Sequence, residues 1–132
     1  MATLKQNTHL LASKKLVGSV ISITKNNAKV SLQITKEMVV DKYNLAHGSF
    51  TFGLADYAAM VAINEPTVVL GKADTKYVKP VILNDELTAI AEVTTTNGKK
   101  VTVLVMVTNQ KNELVFEGNF TCFVLDNHIL EK

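Results

Sequence analysis

The chain has 132 residues, 47% of them hydrophobic and 20% charged, with a formal net charge of +2. That length buries one ordinary hydrophobic core, and the composition excludes a disordered polymer. The lysines are scattered, which excludes the basic stripe of a nucleic-acid binder.

Residues 1–15 form a lead-in of short apolar patches and lysines, with a helical turn expected around His9 to Ser13. No segment in it is apolar for long enough to act as a secretory signal or an anchor. A single domain is expected over residues 16–132. Leu16 to Ile23 and Lys29 to Thr35 are β-branched and partly alternating. Val30, Leu32 and Ile34 face one way, and Ser31, Gln33 and Thr35 the other. Asn26-Asn27 between them tolerates left-handed backbone, which predicts a hairpin.

Glu37 to His47 is mixed in character and is expected to be irregular, with Gly48 at its end. From Ser49 the pattern changes, because Phe50, Phe52, Leu54, Ala55, Ala58, Ala59, Val61, Ala62 and Ile63 surround a helical axis. A helix apolar on every side is a buried helix, and Pro66 ends it. Phe50 to Ile63 is broken by Asp56 and falls short of the ~20 residues that cross a bilayer, so no membrane contact is expected. With its one cysteine, Cys122, excluding an internal disulfide framework, the expected location is the cytoplasm.

Val68 to Lys79 reads as a strand ending at Pro80. Leu87 to Thr95 and Val101 to Thr108 flank Asn97-Gly98, the strongest hairpin signal in the chain. Leu114 to Leu125 is the final strand, with Phe116, Phe120, Cys122 and Val124 on one side. The fold class is α+β, one long buried helix wrapped by a five- to six-stranded antiparallel sheet. A helix of ~15 residues spans ~22 Å, so a sheet wrapped around it is the economical cover. The other face of the central strands, near Val103 and Val105 or their neighbours, still needs covering. A second copy would supply the cover, giving a homodimer, with a tetramer built as a dimer of dimers as the open alternative.

The run Asn44-Leu45-Ala46-His47-Gly48-Ser49-Phe50-Thr51-Phe52-Gly53-Leu54-Ala55-Asp56 resembles the signature of the hotdog-fold acyl-CoA thioesterase superfamily, in particular the phenylacetic-acid-pathway type. In that family a His-Gly-Gly turn opens the helix and an Asp follows nine residues after the His, as His47 and Asp56 do here. Lys79-Pro80-Val81 with Asn84-Asp85-Glu86-Leu87 is similar to the family's turn into its next strand. The likeness covers roughly Leu16 to Leu125.

The resemblance implies hydrolysis of an acyl-CoA to a free acid and coenzyme A, with no cofactor beyond the coenzyme A of the substrate. Asp56 becomes the general base or nucleophile, and the Gly48 amide, with that of Ser49, the oxyanion donor. Glycine at 48 would let a substrate approach the backbone closely. His47 and Asn44 are candidate contacts to the thioester, and each is equally at home as a turn or cap residue. Phe52, Tyr57 and Met60 are expected at the acyl pocket or dimer seam. Lys76 and Lys79, with Lys72, either meet the phosphates of coenzyme A or are solvated strand lysines. Gly48 and Asp56 stand eight residues apart on one helix, ~12 Å along its axis, so a shared site at a dimer interface is expected.

Some features depart from the family pattern. Ser49 replaces the second glycine, and Met60 stands where some relatives place a hydroxyl one turn after the acid. The alternative function is therefore a non-catalytic acyl-CoA-binding protein, a sensor or regulator of the same fold. Such regulators usually carry a DNA-binding segment, for which 15 leading residues leave little room. The His-Phe-Pro-Gly and Asp-x-Asn-Pro-x-His patterns of hotdog dehydratases and hydratases are absent. Cys122 is expected in the core, and His9 and His128 have no partners at metal-ligand spacing, so no metal is expected.

Overall fold

The computed structural model describes residues 3–131. Among the described residues, six strands and one α-helix follow in chain order: β1 (Ser19–Thr24), β2 (Asn27–Gln33), α1 (Gly48–Ile63), β3 (Val68–Tyr77), β4 (Glu86–Asn97), β5 (Lys100–Thr108) and β6 (Leu114–Val124), with a 3-10 turn at Lys36–Met38 before α1. The strands form one sheet in the order β1-β2-β4-β5-β6-β3, with every neighbouring pair antiparallel. This is the α+β hotdog fold, one long helix held against a six-stranded sheet.

Both predicted hairpins form, each with its turn one residue from the expected place. In the first, Thr24 pairs with Asn27, so Lys25 and Asn26 make the loop and Asn26 takes the positive φ of 65°. In the second, Asn97 pairs with Lys100, leaving Gly98 at φ 62° and Lys99 in the loop. Asn27 and Asn97 are spent in the ladder because each completes the last cross-strand pair.

The inner face of the sheet is a graded apolar surface. Ala28, Val30 and Leu32 of β2, Leu87, Ala89 and Ala91 of β4, and Val101, Val103, Val105 and Val107 of β5 are all buried. Phe116, Phe120 and Cys122 of β6 continue it. Small residues under the middle of the helix let α1 lie close, with its own Ala55, Ala58, Ala59 and Ala62 turned inward. Burial of each larger member, such as Leu54 or Val61, stabilises the fold by about 1.5–3 kcal/mol. Val103 and Val105 point at the helix, so Leu104 and Met106 are the neighbours that emerge on the outer face.

A second surface of α1 is covered by residues 3–15 of the lead-in, which lie along the domain as a strap. Leu4 N–H donates to the Ile23 carbonyl at 2.7 Å. Asn7 N–H donates to Asn64 Oδ1 at 2.7 Å, and Asn64 Nδ2 donates to the Lys5 carbonyl at 2.8 Å. Gln6 Nε2 donates to the Tyr57 hydroxyl at 2.9 Å. Asn64 also caps the helix in the left-handed conformation, at φ 58° and ψ 34°. One asparagine thus ends the helix and fastens the strap.

At 100° per residue, Ser49, Phe52, Gly53, Asp56, Met60 and Ile63 share a third stripe of α1. Neither the sheet nor the strap closes over this stripe fully: Phe52, Gly53, Asp56 and Ile63 are half-buried and Ser49 is exposed.

Candidate active site

The start of α1 is held by the irregular segment before it. Asp41 Oδ1 accepts from the amides of Tyr43 and Leu45, and Asn44 turns the chain at φ 65°. The Asn44 carbonyl accepts from Leu83 N–H, Ala46 N–H donates to the Val81 carbonyl, and His47 N–H donates to the Met38 carbonyl. The first two bonds latch residues 44–46 to the turn before β4, and the third closes the 38–47 segment on itself. The buried Asp85 holds that turn in place, accepting from Ile82 N–H and Gln110 Nε2.

His47 is the helix N-cap. Its Nδ1 accepts from Ser49 N–H at 3.0 Å and stands 2.8 Å from Ser49 Oγ. The Ser49 amide is thereby bonded inside the protein. Phe50 N–H donates to the His47 carbonyl. Among the described residues, no acceptor takes the Gly48 N–H.

Gly48 does allow a close approach, and the group that uses it is Tyr77. A Cβ at position 48 would meet the Tyr77 ring at 3.1–3.2 Å. The Tyr77 hydroxyl donates to the Gly48 carbonyl at 2.8 Å, and its ring stands edge-on to Phe116 with centroids 5.0 Å apart. Burial raises the phenol above its ordinary value of 10, so it stays a protonated donor at neutral pH. Beside this contact lies a cavity of about 270 Å³, lined by Gly48, Thr51, Tyr77, Lys79 and Val81 among others. Sequence reasoning did not single out Tyr77, because nothing in a separation of 29 residues signals the contact.

Asp56 lies two turns into the helix, on the stripe that sheet and strap leave open. Its Oδ1 is sealed from solvent and has no hydrogen-bond partner among the described residues. Burial pushes the carboxyl up from 3.8 to about 6. The cause is desolvation, which disfavours the charged form. Cys122 is fully buried, and its thiol is pushed up to about 12, first by burial and then by the Asp56 charge nearby. One turn before Asp56, Phe52 packs its ring against Phe120 and Phe116 with centroids 5.6 and 6.5 Å away.

The structure gathers some of the expected site residues and separates others. Gly48 and Lys79 meet at the cavity, where Lys79 also pairs with Glu113 at 2.8 Å. That pairing holds the Glu113 carboxyl below its ordinary range. Asn44 is exposed, and its side-chain amide makes no hydrogen bond among the described residues. Lys76 is exposed on β3, opposite Glu117 of β6. Met60 is buried. Tyr57 is placed under the strap, bonded to Gln6, and is turned about 100° around the helix from Asp56.

No cluster of three or more potential metal-ligating side chains occurs among the described residues. No helix among them is long and apolar enough to cross a membrane.

The family model of the thioesterase superfamily matches residues 43–116. The methylthioribose-1-phosphate isomerase of Aquifex aeolicus is 41% identical over 120 residues, covering 90% of this chain and 26% of that protein. The transcription factor FapR of a Thermoanaerobacter species is 30% identical over 128 residues, covering 96% of this chain and 64% of that one. The chain therefore spans about a quarter of the first relative and under two thirds of the second. Among solved structures, PH1136 from Pyrococcus horikoshii superposes with a TM-score of 0.97 at 50% identity, covering 99% of this chain and 100% of that one. A Streptococcus mutans protein solved with acetyl CoA superposes with a TM-score of 0.80 at 23% identity, over 91% and 97% of the two chains, a likeness of fold. With the family model spanning more than half of its length, the chain belongs to the hotdog-fold thioesterase superfamily.

Proposed function

We propose that the protein is an acyl-CoA thioesterase, working in the cytoplasm as a homodimer with its active sites at the dimer interface. The observation that carries this reading is the carboxylate of Asp56, half-buried with one oxygen sealed and unpartnered, on the stripe of α1 left open. Desolvating a carboxylate without a compensating bond costs several kcal/mol, and a functional group gives a reason for bearing that cost. At a value of about 6, Asp56 is ionised at neutral pH and more basic than a surface carboxylate.

In this scheme Asp56 takes a proton from water as the water oxygen attacks the thioester carbonyl carbon. The oxyanion that forms is stabilised by the Gly48 N–H at the positive end of the helix. Collapse of that intermediate breaks the C–S bond, and the proton passes to the departing thiolate, leaving a carboxylic acid and coenzyme A. Direct attack by Asp56, giving an acyl anhydride that water then hydrolyses, has the same balance.

Eight residues of helix separate Gly48 from Asp56, about 12 Å, so one carbonyl is served by Gly48 of one protomer and Asp56 of its partner. The edge strand β3 supports such pairing, since ten residues of its outer backbone edge have no neighbouring strand. Thiol release over a panel of short, long and aromatic acyl-CoAs tests the activity. Asp56→Asn is expected to lower kcat by ~10² or more with KM largely kept; an unchanged rate removes Asp56 from the mechanism.

A second reading is favoured by the relatives named as transcription factors, together with Ser49 and Met60 at the departures from the motif. In it the same site binds acyl-CoA without cleaving it. Calorimetric binding of acyl-CoAs that release no thiol would establish that reading in place of the first.

A further inference from the structure

We infer that Tyr77 is a positioning residue for the Gly48 amide, and that Gly48 and Tyr77 form a matched pair fixing the first turn of α1. The inference rests on the thioesterase reading for its catalytic consequence, while the pairing itself stands on packing. Three observations converge on it. The Tyr77 hydroxyl donates to the Gly48 carbonyl at 2.8 Å, joining the end of the edge strand to the start of the helix. The Tyr77 ring fills the space beside the Gly48 Cα so closely that a methyl there would meet it at 3.1–3.2 Å. The ring is itself anchored edge-on against the fully buried Phe116.

The other donors of the first turn are already bound. His47 Nδ1 takes the Ser49 amide and the His47 carbonyl takes the Phe50 amide. These bonds fix the turn from inside the helix, and they do not fix it against the sheet. Tyr77 does so, because β3 is held in register by β6, with Tyr77 opposite Phe116. The phenol thereby fixes the Gly48–Ser49 peptide against the sheet, and with it the Gly48 Cα that carries the donor N–H beside the cavity that both residues line.

A donor aimed at a developing oxyanion must be held within tenths of an ångström, and a lost donor typically costs 10²–10³ in kcat. Loosening the donor costs less. Tyr77→Phe keeps the ring and its packing and removes the tether. On the acyl-CoA that the wild type hydrolyses fastest, its kcat is expected to fall about tenfold while KM stays within about twofold. A kcat equal to wild type, or a change confined to KM, overturns the positioning role.

A double-mutant cycle read by melting temperature tests the pairing without reference to activity. Gly48→Ala is expected to lower the melting temperature by about 3 °C or more with Tyr77 in place. In the Tyr77→Ala background the same change costs less than half as much, because the ring it strikes is gone. Additive effects would overturn the matched pair. A wild type that cleaves no acyl-CoA would count against the hydrolase reading, with the cycle still deciding the pair.

Discussion

At the scale of single residues, Asp56 and Asp85 are both taken out of water, with different hydrogen-bond partners. Asp85 is buried deeper, yet it accepts from the Ile82 amide and from Gln110. Asp56 has an oxygen with no partner, and its carboxyl rises to about 6. A carboxyl raised on folding binds its proton more tightly in the native state. Its contribution to stability is therefore fully present below 3.8 and is lost as pH rises through about 6. Asp56→Asn is accordingly expected to stabilise the protein at pH 7.5, with the gain shrinking as pH falls from 6 toward 4. The rise from 3.8 to about 6 corresponds to about 3 kcal/mol, and solvent at the half-buried group reduces this to about 1–2 kcal/mol. Urea unfolding of both proteins across this pH range measures it. For activity the sign is opposite: kcat/KM should fall about tenfold per pH unit below 6 and level off above it, as a pH–rate profile would record.

At the scale of elements, α1 presents three sides, two of them covered by different means. The sheet covers one side by apolar packing, the strap covers a second largely by hydrogen bonds, and the third carries Asp56. The strap was legible in the sequence only as a lead-in of lysines and short apolar patches. Its apolar residues are largely exposed, with Leu10 and Leu11 at 68% and 100%. What docks it is polar: Asn64, Gln6 and two backbone amides. Hydrophobic periodicity cannot register such an attachment. Asn64→Ala should cost about 2 kcal/mol, since it loses two hydrogen bonds and leaves a non-glycine residue in left-handed backbone. Asn64→Gly should recover the backbone part of that loss. Chemical denaturation separates the two, and equal stability of all three proteins would mean that the strap contributes little.

At the scale of the molecule, the half-buried stripe of α1 and the outer edge of β3 are the surfaces that the proposed dimer would use. The proposed shared site makes a stoichiometric prediction. When a Gly48→Val chain and an Asp56→Asn chain are mixed through refolding, about half of the dimers are hybrids, each with one intact site. Activity should return to about a quarter of wild type from two inactive parents. Confirmed mixed dimers with no activity would place Gly48 and Asp56 outside a common site. On the outer face of the sheet, Ile90 and Met106 stand 52% and 42% exposed.

The sequence by itself determined the elements and their apolar faces, because periodicity, β-branching and turn residues act over a few neighbouring positions. It also marked Asp56, since an acid inside an otherwise apolar helix stands out without coordinates. The tertiary structure decided which polar groups those elements bring together: Tyr77 over Gly48 across 29 residues, Asn7 on Asn64 across 57, and Gln6 on Tyr57 across 51. It also turned Tyr57 under the strap and spent the Ser49 amide on the His47 cap. Those outcomes depend on how far the helix slides along the sheet and on which strand ends beside its first turn. Packing of the whole chain sets both quantities, and no local pattern encodes either.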